Sequence, residues 1–182
     1  KALVASASAA LVARRHADFG VTIDGAIGVD MRAVKARKDA IVGASVTGVT
    51  NWINGMPGLT LFWGQARFTG PNQVEVDGQT LEAEKIFINV GGRAIVPDWP
   101  ELADIPYFTN TTMMGVDFLP DHLVVVGGSY IGLEFAQMYR RFGSEVTVVE
   151  MGPRLIARED EDVSAAVKDI LEREGVTVHL NA

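Results

Sequence analysis

The feature that most limits what this chain can fold into is a glycine-rich turn between a strand and a helix. The apolar run Leu123–Val126 has the length of a buried strand, and residues Gly127–Gly132 follow it directly. Behind the turn, apolar residues recur at helical spacing over Ile131–Phe142, and a second strand pattern occupies Glu145–Val149. This order predicts two parallel strands, because a helix between them returns the chain to the same edge of the sheet.

The same alternation continues to the last residues. A second helix is predicted from about Asp162 to Glu174, ending at Gly175, and Val176–Leu180 follows as a third strand. The residues of this helix that we expect to be buried are Val163, Ala166, Val167, Ile170 and Leu171. The order βαβαβ predicts an α/β fold whose parallel strands are joined by right-handed crossovers.

The turn carries a spacing close to G-x-G-x-x-G, which binds the pyrophosphate of dinucleotides at a strand-to-helix turn. Gly127 permits the tight turn, and Gly132 lets the helix pack close to the strand. The middle position is Ser129, a departure that is compatible with close approach of a ligand if its φ is negative, and Gly128 beside it adds freedom. The N-terminus of the helix offers unpaired N–H groups and a partial positive charge to the phosphates.

An acidic residue follows the second predicted strand. Glu150 stands where a carboxylate bonds the ribose hydroxyls of NAD, and the same charge repels the 2′-phosphate of NADP. The sequence therefore favours NAD, although Arg154 and Arg158 lie close enough to complicate the choice. The alternative interpretation is an ordinary doubly wound turn that binds no ligand.

Two helices are predicted at the start of the chain. Ala2–Asp18 is rich in alanine and is followed by Gly20, which is typical of a helix C-terminus. Asp30 predicts the N-cap of a longer helix from Met31 towards Ile53. The apolar residues that predict one buried face of this longer helix are Val34, Ile41, Val42, Val46, Val49, Trp52 and Ile53.

Short extended segments follow. They are Leu59–Phe62, Ala66–Phe68, Gln73–Val76 and Thr80–Ala83. Asp77-Gly78 between two of them predicts a β-hairpin, and Lys85–Val90 predicts a further hydrophobic strand that ends at Gly91-Gly92. A proline-rich connector over residues 97–120 then indicates a domain boundary near residue 115.

Composition excludes several classes of protein. Lys and Arg total 16 against 23 for Asp and Glu, a formal charge of −7, which argues against nucleic-acid binding. No apolar stretch approaches the roughly 20 residues that span a bilayer, so no membrane segment is expected and a cytoplasmic protein is the default. The chain has no cysteine, and its three histidines are scattered, so no metal site is predicted. The lack of an initial Met suggests that the natural chain begins earlier.

Several stretches resemble the pyridine nucleotide-disulfide oxidoreductases. Residues 124–136, VVVGGSYIGLEFA, are similar to the nicotinamide-binding segment of that family. Residues 86–92, IFINVGG, resemble its second flavin contact, with Asn89-Val90-Gly91 where Ala-Thr-Gly is usual. The opening Lys1-Ala2-Leu3-Val4 resembles the segment just after the redox disulfide. Within the family the likeness is to mercuric-reductase-like and dihydrolipoamide-dehydrogenase-like members.

The resemblance implies a homodimeric flavoprotein in which NAD(P)H passes a hydride to FAD, and the flavin reduces a cysteine pair. Lys1 and Glu134 resemble a catalytic ion pair beside the flavin ring and the nicotinamide. The residues that it implies for the nicotinamide dinucleotide are Gly127, Gly128, Ser129, Tyr130, Ile131, Gly132, Leu133, Glu134 and Glu150. Those that it implies for FAD are Lys1, Ala66 (in Gly64-Gln65-Ala66), Val90, Gly91 and Gly92.

The implied architecture is a two-domain, Rossmann-like FAD/NAD(P)-binding fold, with a parallel sheet and an antiparallel β-meander. Residues 1–115 are expected to be part of the FAD-binding domain and residues 116–182 part of the NAD-binding domain, both incomplete. The first flavin fingerprint, the redox cysteines and the dimerisation domain have no counterpart in this sequence. We therefore expect the parent to be an enzyme and this piece to be inactive alone. An NAD-binding module without redox chemistry, or a non-catalytic remnant, are the alternatives, and the terminal electron acceptor stays open.

Overall fold

The computed structural model describes residues 1–182, which form two compact units. The first unit comprises Lys1–Ile41 and Val96–Ala182, and the second comprises Val42–Ile95. The helices are α1 (Ala2–Arg14), α2 (Met31–Asn54), α3 (Asn110–Met113), α4 (Tyr130–Phe142) and α5 (Glu161–Arg173), with 3₁₀ turns at His16–Phe19 and Pro100–Asp104. The strands are β1 (Ala66–Gly70), β2 (Gln73–Val76), β3 (Gln79–Glu82), β4 (His122–Val126), β5 (Glu145–Glu150) and β6 (Thr177–Leu180). The division into flavin-binding residues 1–115 and nicotinamide-binding residues 116–182 stays a prediction.

The parallel sheet is confirmed in the order β4-β5-β6. Strand β4 pairs with β5 from His122 opposite Glu145 to Val126 opposite Val149. Strand β5 pairs with β6 up to Glu150 opposite Leu180. Because parallel strands end at the same edge, this register brings the glycine-rich turn after β4 next to the acid at the end of β5.

The core of the first unit lies between the sheet and α4. Val146 and Val148 of β5 are fully buried, and Tyr139 and Phe142 of α4 pack edge to face with ring centroids 5.8 Å apart. Burial raises the pKa of Tyr139 to about 12. The same burial anchors α4, and with it the turn that begins this helix, on the sheet.

Helix α5 differs from its prediction in which residues it buries. Leu171 is buried as expected and Val167 is partly buried, but Val163, Ala166 and Ile170 are exposed, and Ser164 is buried instead. Helix α5 therefore turns Ser164 towards the core, whereas apolar spacing alone predicts that Val163 and Ile170 face it. The reason is that Ser164 has a hydrogen-bond acceptor inside the unit, the carbonyl oxygen of Leu155, so burying its hydroxyl leaves no polar atom unpaired.

Helix α1 packs along α4 through small residues, since Ala7 of α1 and Ala136 of α4 are both completely buried. At the far end of this contact the Arg14 guanidinium donates to the carbonyl oxygens of Arg141 and Phe142, the latter at 2.7 Å. These carbonyls have no partner within a helix C-terminus, so Arg14 caps α4.

Asp30 is confirmed as the N-cap of α2, because its Oδ1 accepts from the backbone N–H groups of Arg32 and Ala33. The buried apolar face predicted for this helix is confirmed at Val34, which packs against the core, and is wrong over most of the rest. The side chains of Val42, Val46, Val49 and Trp52 are between 48% and 66% exposed. Apolar periodicity predicts which face of a helix is buried when a partner packs against it, but no helix or strand of the chain covers this part of α2.

The antiparallel meander β1-β2-β3 forms the regular part of the second unit. Asp77 and Gly78 both have left-handed φ angles, 47° and 83°, which confirms the predicted hairpin turn. The strands predicted at Leu59–Phe62 and Lys85–Val90 are absent, and Phe87 is 91% exposed. A strand exists only when its backbone pairs with a neighbour, and neither segment has one in this chain.

A polar network joins the C-terminal ends of α4 and α5. The Glu174 carboxylate accepts from Arg141 Nε and Nη2 at 2.7 and 2.6 Å and from Gln137 Nε2 at 2.9 Å. Both side chains of the ion pair are less than a fifth exposed. The bond to Glu174 holds the pKa of Arg141 above its usual value.

Replacing Glu174 by alanine is expected to lower the free energy of unfolding by about 2 kcal/mol, because it leaves a largely buried guanidinium without its carboxylate. Urea unfolding followed by circular dichroism measures this change. The control is Glu172→Ala, which removes only the exposed partner of Lys168 and should cost less than about 0.5 kcal/mol. Equal losses of unfolding free energy in the two variants would show that the buried network stabilises the fold no more than an exposed ion pair does.

Candidate functional site

The glycine-rich turn connects β4 to α4 and is bonded to the neighbouring strand. Gly127 has φ 103°, a conformation that favours glycine, and its N–H donates to the carbonyl of Val149 at 2.8 Å. Ser129 follows as the N-cap of α4 with φ −86°, so its backbone satisfies the condition on which close approach of a ligand depended.

Two glycines of the turn leave little room for a Cβ. A Cβ at Gly132 would lie 2.6 Å from the carbonyl oxygen of Gly127 and 3.1 Å from Val125 Cγ1. A Cβ at Gly128 would lie 2.6 Å from Leu155 Cδ2 and 3.0 Å from Glu150 Oε2. Gly132 therefore brings α4 close to the end of β4, which is the role that the dinucleotide fingerprint gives to its last glycine.

The first turn of α4 presents backbone donors. The first hydrogen bond at the start of this helix runs from Leu133 N–H to the carbonyl of Ser129 at 3.1 Å. The N–H groups of Tyr130, Ile131 and Gly132 have no acceptor within the chain, as is usual for a helix N-terminus. Together with the helix dipole they form a place where an anionic pyrophosphate can be held.

The Glu150 carboxylate lies against this turn. Its Oε2 accepts from Gly128 N–H at 2.6 Å, and its Oε1 accepts from Gly152 N–H at 2.7 Å. Each oxygen keeps a further lone pair for a hydroxyl donor. The acid is thus fixed by two backbone amides beside the glycine turn, in an orientation that can bond a pair of ribose hydroxyls.

The nearby arginines differ in their environment. Arg154 Nη1 lies 3.1 Å from Glu161 Oε1, and its Nη2 donates to the carbonyl of Ala157 at 3.0 Å. The side chain of Arg158 makes no hydrogen bond or ion pair within the chain. Arg154 is thus engaged within the chain, whereas Arg158 is not, so these two arginines do not decide between NAD and NADP.

The remaining residues implied for the nicotinamide side lie on α4. Tyr130 and Glu134 are exposed and line a groove of about 330 Å³ with Leu133 and residues of α5. Lys1 is exposed and precedes the first residue of α1. The structure does not bring Lys1 within ion-pair distance of Glu134, and their proposed catalytic pairing stays a prediction.

The residues implied for FAD do not form one cluster of hydrogen bonds. Ala66 begins β1 opposite Val76 and is exposed. Val90, Gly91 and Gly92 are exposed and belong to no strand, and Gly91 has φ 71°. These four residues belong to the second unit, whereas Lys1 belongs to the first. Their contacts with FAD stay predictions.

Sequence reasoning missed the loop that packs against the glycine turn. Leu155 is 1% exposed and fills the space beside Gly128, and Ile156 N–H donates to the Gly128 carbonyl at 2.8 Å. The only signal in the sequence was an apolar pair, Leu155-Ile156, in an otherwise polar stretch. No group of acidic or histidine side chains that could hold a metal ion is present, and no helix has the length and hydropathy needed to cross a membrane.

Comparison with known proteins gives a consistent result. The family model described as pyridine nucleotide-disulphide oxidoreductase matches residues 5–182. A dihydrolipoyl dehydrogenase of Acholeplasma laidlawii is 30% identical over 98% of this chain and 54% of its own length. A mercuric reductase of Streptomyces lividans is 34% identical over 98% of this chain and 39% of its own length. The chain thus spans about half or less of the curated relatives that it matches.

Solved structures show the same likeness. The HOCl-induced flavoprotein disulfide reductase RclA from Escherichia coli superposes with a TM-score of 0.78 at 35% identity, over 85% of this chain and 36% of that one. LpdA from Mycobacterium tuberculosis superposes over the whole chain, and 41% of its own, with a TM-score of 0.78 at 23% identity. The second likeness is one of fold alone.

Proposed function

This chain belongs to the pyridine nucleotide-disulphide oxidoreductase family, and on that premise we propose that Gly127–Glu150 binds the nicotinamide dinucleotide of an FAD-dependent oxidoreductase. The observation that carries the proposal is the close approach at Gly132, where a Cβ would lie 2.6 Å from the Gly127 carbonyl. A turn packed this tightly against its helix exposes backbone rather than side chains to the pyrophosphate.

The chain's own residues supply orientation and charge. The free N–H groups at the start of α4 hold the pyrophosphate, and the Glu150 carboxylate accepts from the adenosine ribose hydroxyls. The fixed negative charge at Glu150 disfavours a 2′-phosphate, so NAD is preferred to NADP. Tyr130 and Glu134 then flank the nicotinamide half of the dinucleotide on the exposed side of α4.

FAD, when bound, supplies the acceptor for the hydride of NADH and passes the electrons to a disulfide. For this chain we assign Lys1, Ala66, Val90, Gly91 and Gly92 to the flavin side. The support is the family resemblance. Gly91 adds to it, because its left-handed φ favours glycine, and a residue without a side chain exposes its backbone to a ligand. The pairing of Lys1 with Glu134 across the flavin and the nicotinamide belongs to the same proposal.

The relatives include a mercuric reductase and dihydrolipoyl dehydrogenases, so mercuric ion, a lipoyl group and small disulfides are all candidate acceptors for the whole protein. A cytoplasmic homodimer is part of the same proposal and has the same family support. Because the chain contains no cysteine, we expect these 182 residues to bind nucleotide without reducing an acceptor.

The test titrates the 182-residue chain with FAD and, separately, with NADH, and follows turnover of an added disulfide or mercuric ion. We predict that both cofactors bind and that no acceptor is turned over. Binding of NADH without binding of FAD would favour the NAD-binding module. Binding of neither nucleotide, with concentration-dependent association, would favour the non-catalytic remnant.

A further inference from the structure

A buried serine of α5 is bonded to the loop beside the glycine turn. Ser164 is 3% exposed, and its hydroxyl donates to the carbonyl of Leu155 at 2.5 Å. Its own N–H donates to Asp160, so the serine is fixed in the first turn of α5. The hydroxyl therefore ties the position of Leu155 to a rigid element rather than to solvent.

The loop held in this way contacts Gly128 on two sides. The Leu155 side chain occupies the space where a Cβ of Gly128 would stand, with Cδ2 at 2.6 Å, and the next residue donates from Ile156 N–H to the Gly128 carbonyl. Ile156 has φ 40°, a left-handed conformation that a β-branched residue rarely adopts. Such a conformation persists where neighbouring contacts impose it, and such residues cluster at ligand clamps.

Gly128 is thus bonded through both of its backbone groups. Its carbonyl accepts from Ile156, while its N–H donates to Glu150 Oε2 at 2.6 Å. The carbonyl and the N–H lie in the two peptide planes that meet at the Gly128 Cα, so the Leu155–Ile156 loop fixes one plane directly and restrains the other through the Gly128 φ and ψ. A loop that moves would loosen this restraint and weaken one of the two bonds that orient the Glu150 carboxylate.

We infer that Ser164 is a positioning residue that sets the affinity and the NADH-over-NADPH selectivity of the site through Leu155, Ile156 and Gly128. The inference rests on the proposed function of Gly127–Glu150. The Ser164 side chain does not contact the nucleotide. It acts by fixing the orientation of the Glu150 carboxylate, which bonds the ribose hydroxyls.

The chain offers a matched control in Ser144. It is completely buried, and its hydroxyl donates to the carbonyl of Pro120 at 2.6 Å. It lies between α4 and β5, at the edge of the sheet opposite the glycine turn. Replacing either serine by alanine therefore deletes the same kind of buried hydrogen bond, but only Ser164 connects to the proposed nucleotide site.

The experiment measures NADH and NADPH dissociation constants and melting temperatures for the wild type, Ser164→Ala and Ser144→Ala. We expect Ser164→Ala to weaken NADH binding by about three- to tenfold, the loss of one orienting hydrogen bond, and to reduce NADH-over-NADPH selectivity. Ser144→Ala should lower the melting temperature similarly and leave both constants unchanged. If Ser164→Ala does not fold, Ser164→Cys keeps the side-chain volume with a weaker donor and should show the same selectivity loss.

The outcomes separate this inference from the proposal beneath it. Wild-type binding of NADH with Ser164 variants that match Ser144→Ala in both constants would overturn the positioning role and leave the site assignment intact. A wild type that binds neither nucleotide would overturn the site assignment and the positioning role together.

Discussion

Replacing Gly132 by alanine is expected to weaken NADH binding by about 10- to 100-fold, the cost of forcing a clash of 1–3 kcal/mol into the turn. The new methyl group would lie 2.6 Å from the Gly127 carbonyl oxygen. Backbone cannot yield as a flexible side chain can, so α4 must move away from β4. That shift displaces the N–H groups proposed to hold the pyrophosphate. Calorimetric titration measures the loss, and circular dichroism reports whether the fold is kept.

The matched control is Gly48→Ala in the middle of α2. A Cβ there meets no atom within 4 Å, so the same substitution is free of clash. It should raise helix stability by up to about 1 kcal/mol and leave NADH binding unchanged. NADH affinity that is equal in the wild type and in Gly132→Ala would contradict the assignment of the fingerprint.

Replacing Glu150 by glutamine is expected to lower NADH affinity about tenfold and to bring the affinities for NADH and NADPH close together, since a bond to a charged group contributes about 1.5–3 kcal/mol. Both carboxylate oxygens accept from backbone N–H groups, of Gly128 and Gly152. An amide turns one of these acceptors into a donor that faces another donor. It also removes the charge that repels a 2′-phosphate.

Glu145→Gln is the control for this change, because Glu145 begins the same strand at its opposite end and is exposed. Both variants remove one negative charge from the protein, so a general electrostatic effect on nucleotide binding would appear in both. If Glu150→Gln kept the wild-type preference for NADH, the ribose contact would be assigned to the wrong residue.

The βαβαβ part of the fold could be predicted because its signals are local. The parallel strands read as short apolar runs, and helix α4 shows its core face through Tyr139 and Phe142. The burial expected for the first strand is not found, because Val124 and Val126 of β4 are 54% and 61% exposed. Once the strands are parallel, their carboxyl ends share an edge. The meeting of the glycine turn with Glu150 then follows without any further contact having to be known.

The elements that were predicted wrongly depend on partners elsewhere. Lys85–Val90 has strand composition, but no neighbouring strand pairs with it in this chain. The apolar face of α2 around Val46 and Trp52 likewise has nothing packed over it. The composition of a segment indicates the secondary structure that it would adopt beside a pairing strand or an apolar surface. It does not show that such a neighbour is present.

The contacts that hold the Leu155–Ile156 loop against Gly128 could not be predicted from the sequence, for a different reason. The bond from Ser164 to the Leu155 carbonyl and the left-handed Ile156 depend on the path of one loop. Serine in the first turn of a helix and an isoleucine after a leucine carry no pattern of their own. Only the three-dimensional path of the loop shows that Leu155 and Ile156 contact Gly128 and that Ser164 is bonded to Leu155.

The most direct test of the central claim is a calorimetric titration of the 182-residue chain with NADH and, separately, with NADPH. We predict a single NADH site, NADPH binding at least about tenfold weaker, in line with one charge-assisted contact, and loss of the NADH signal in Gly132→Ala. Absence of binding, or NADPH binding as tightly as NADH, would contradict the claim that the Gly127–Glu150 half-site recognises NAD.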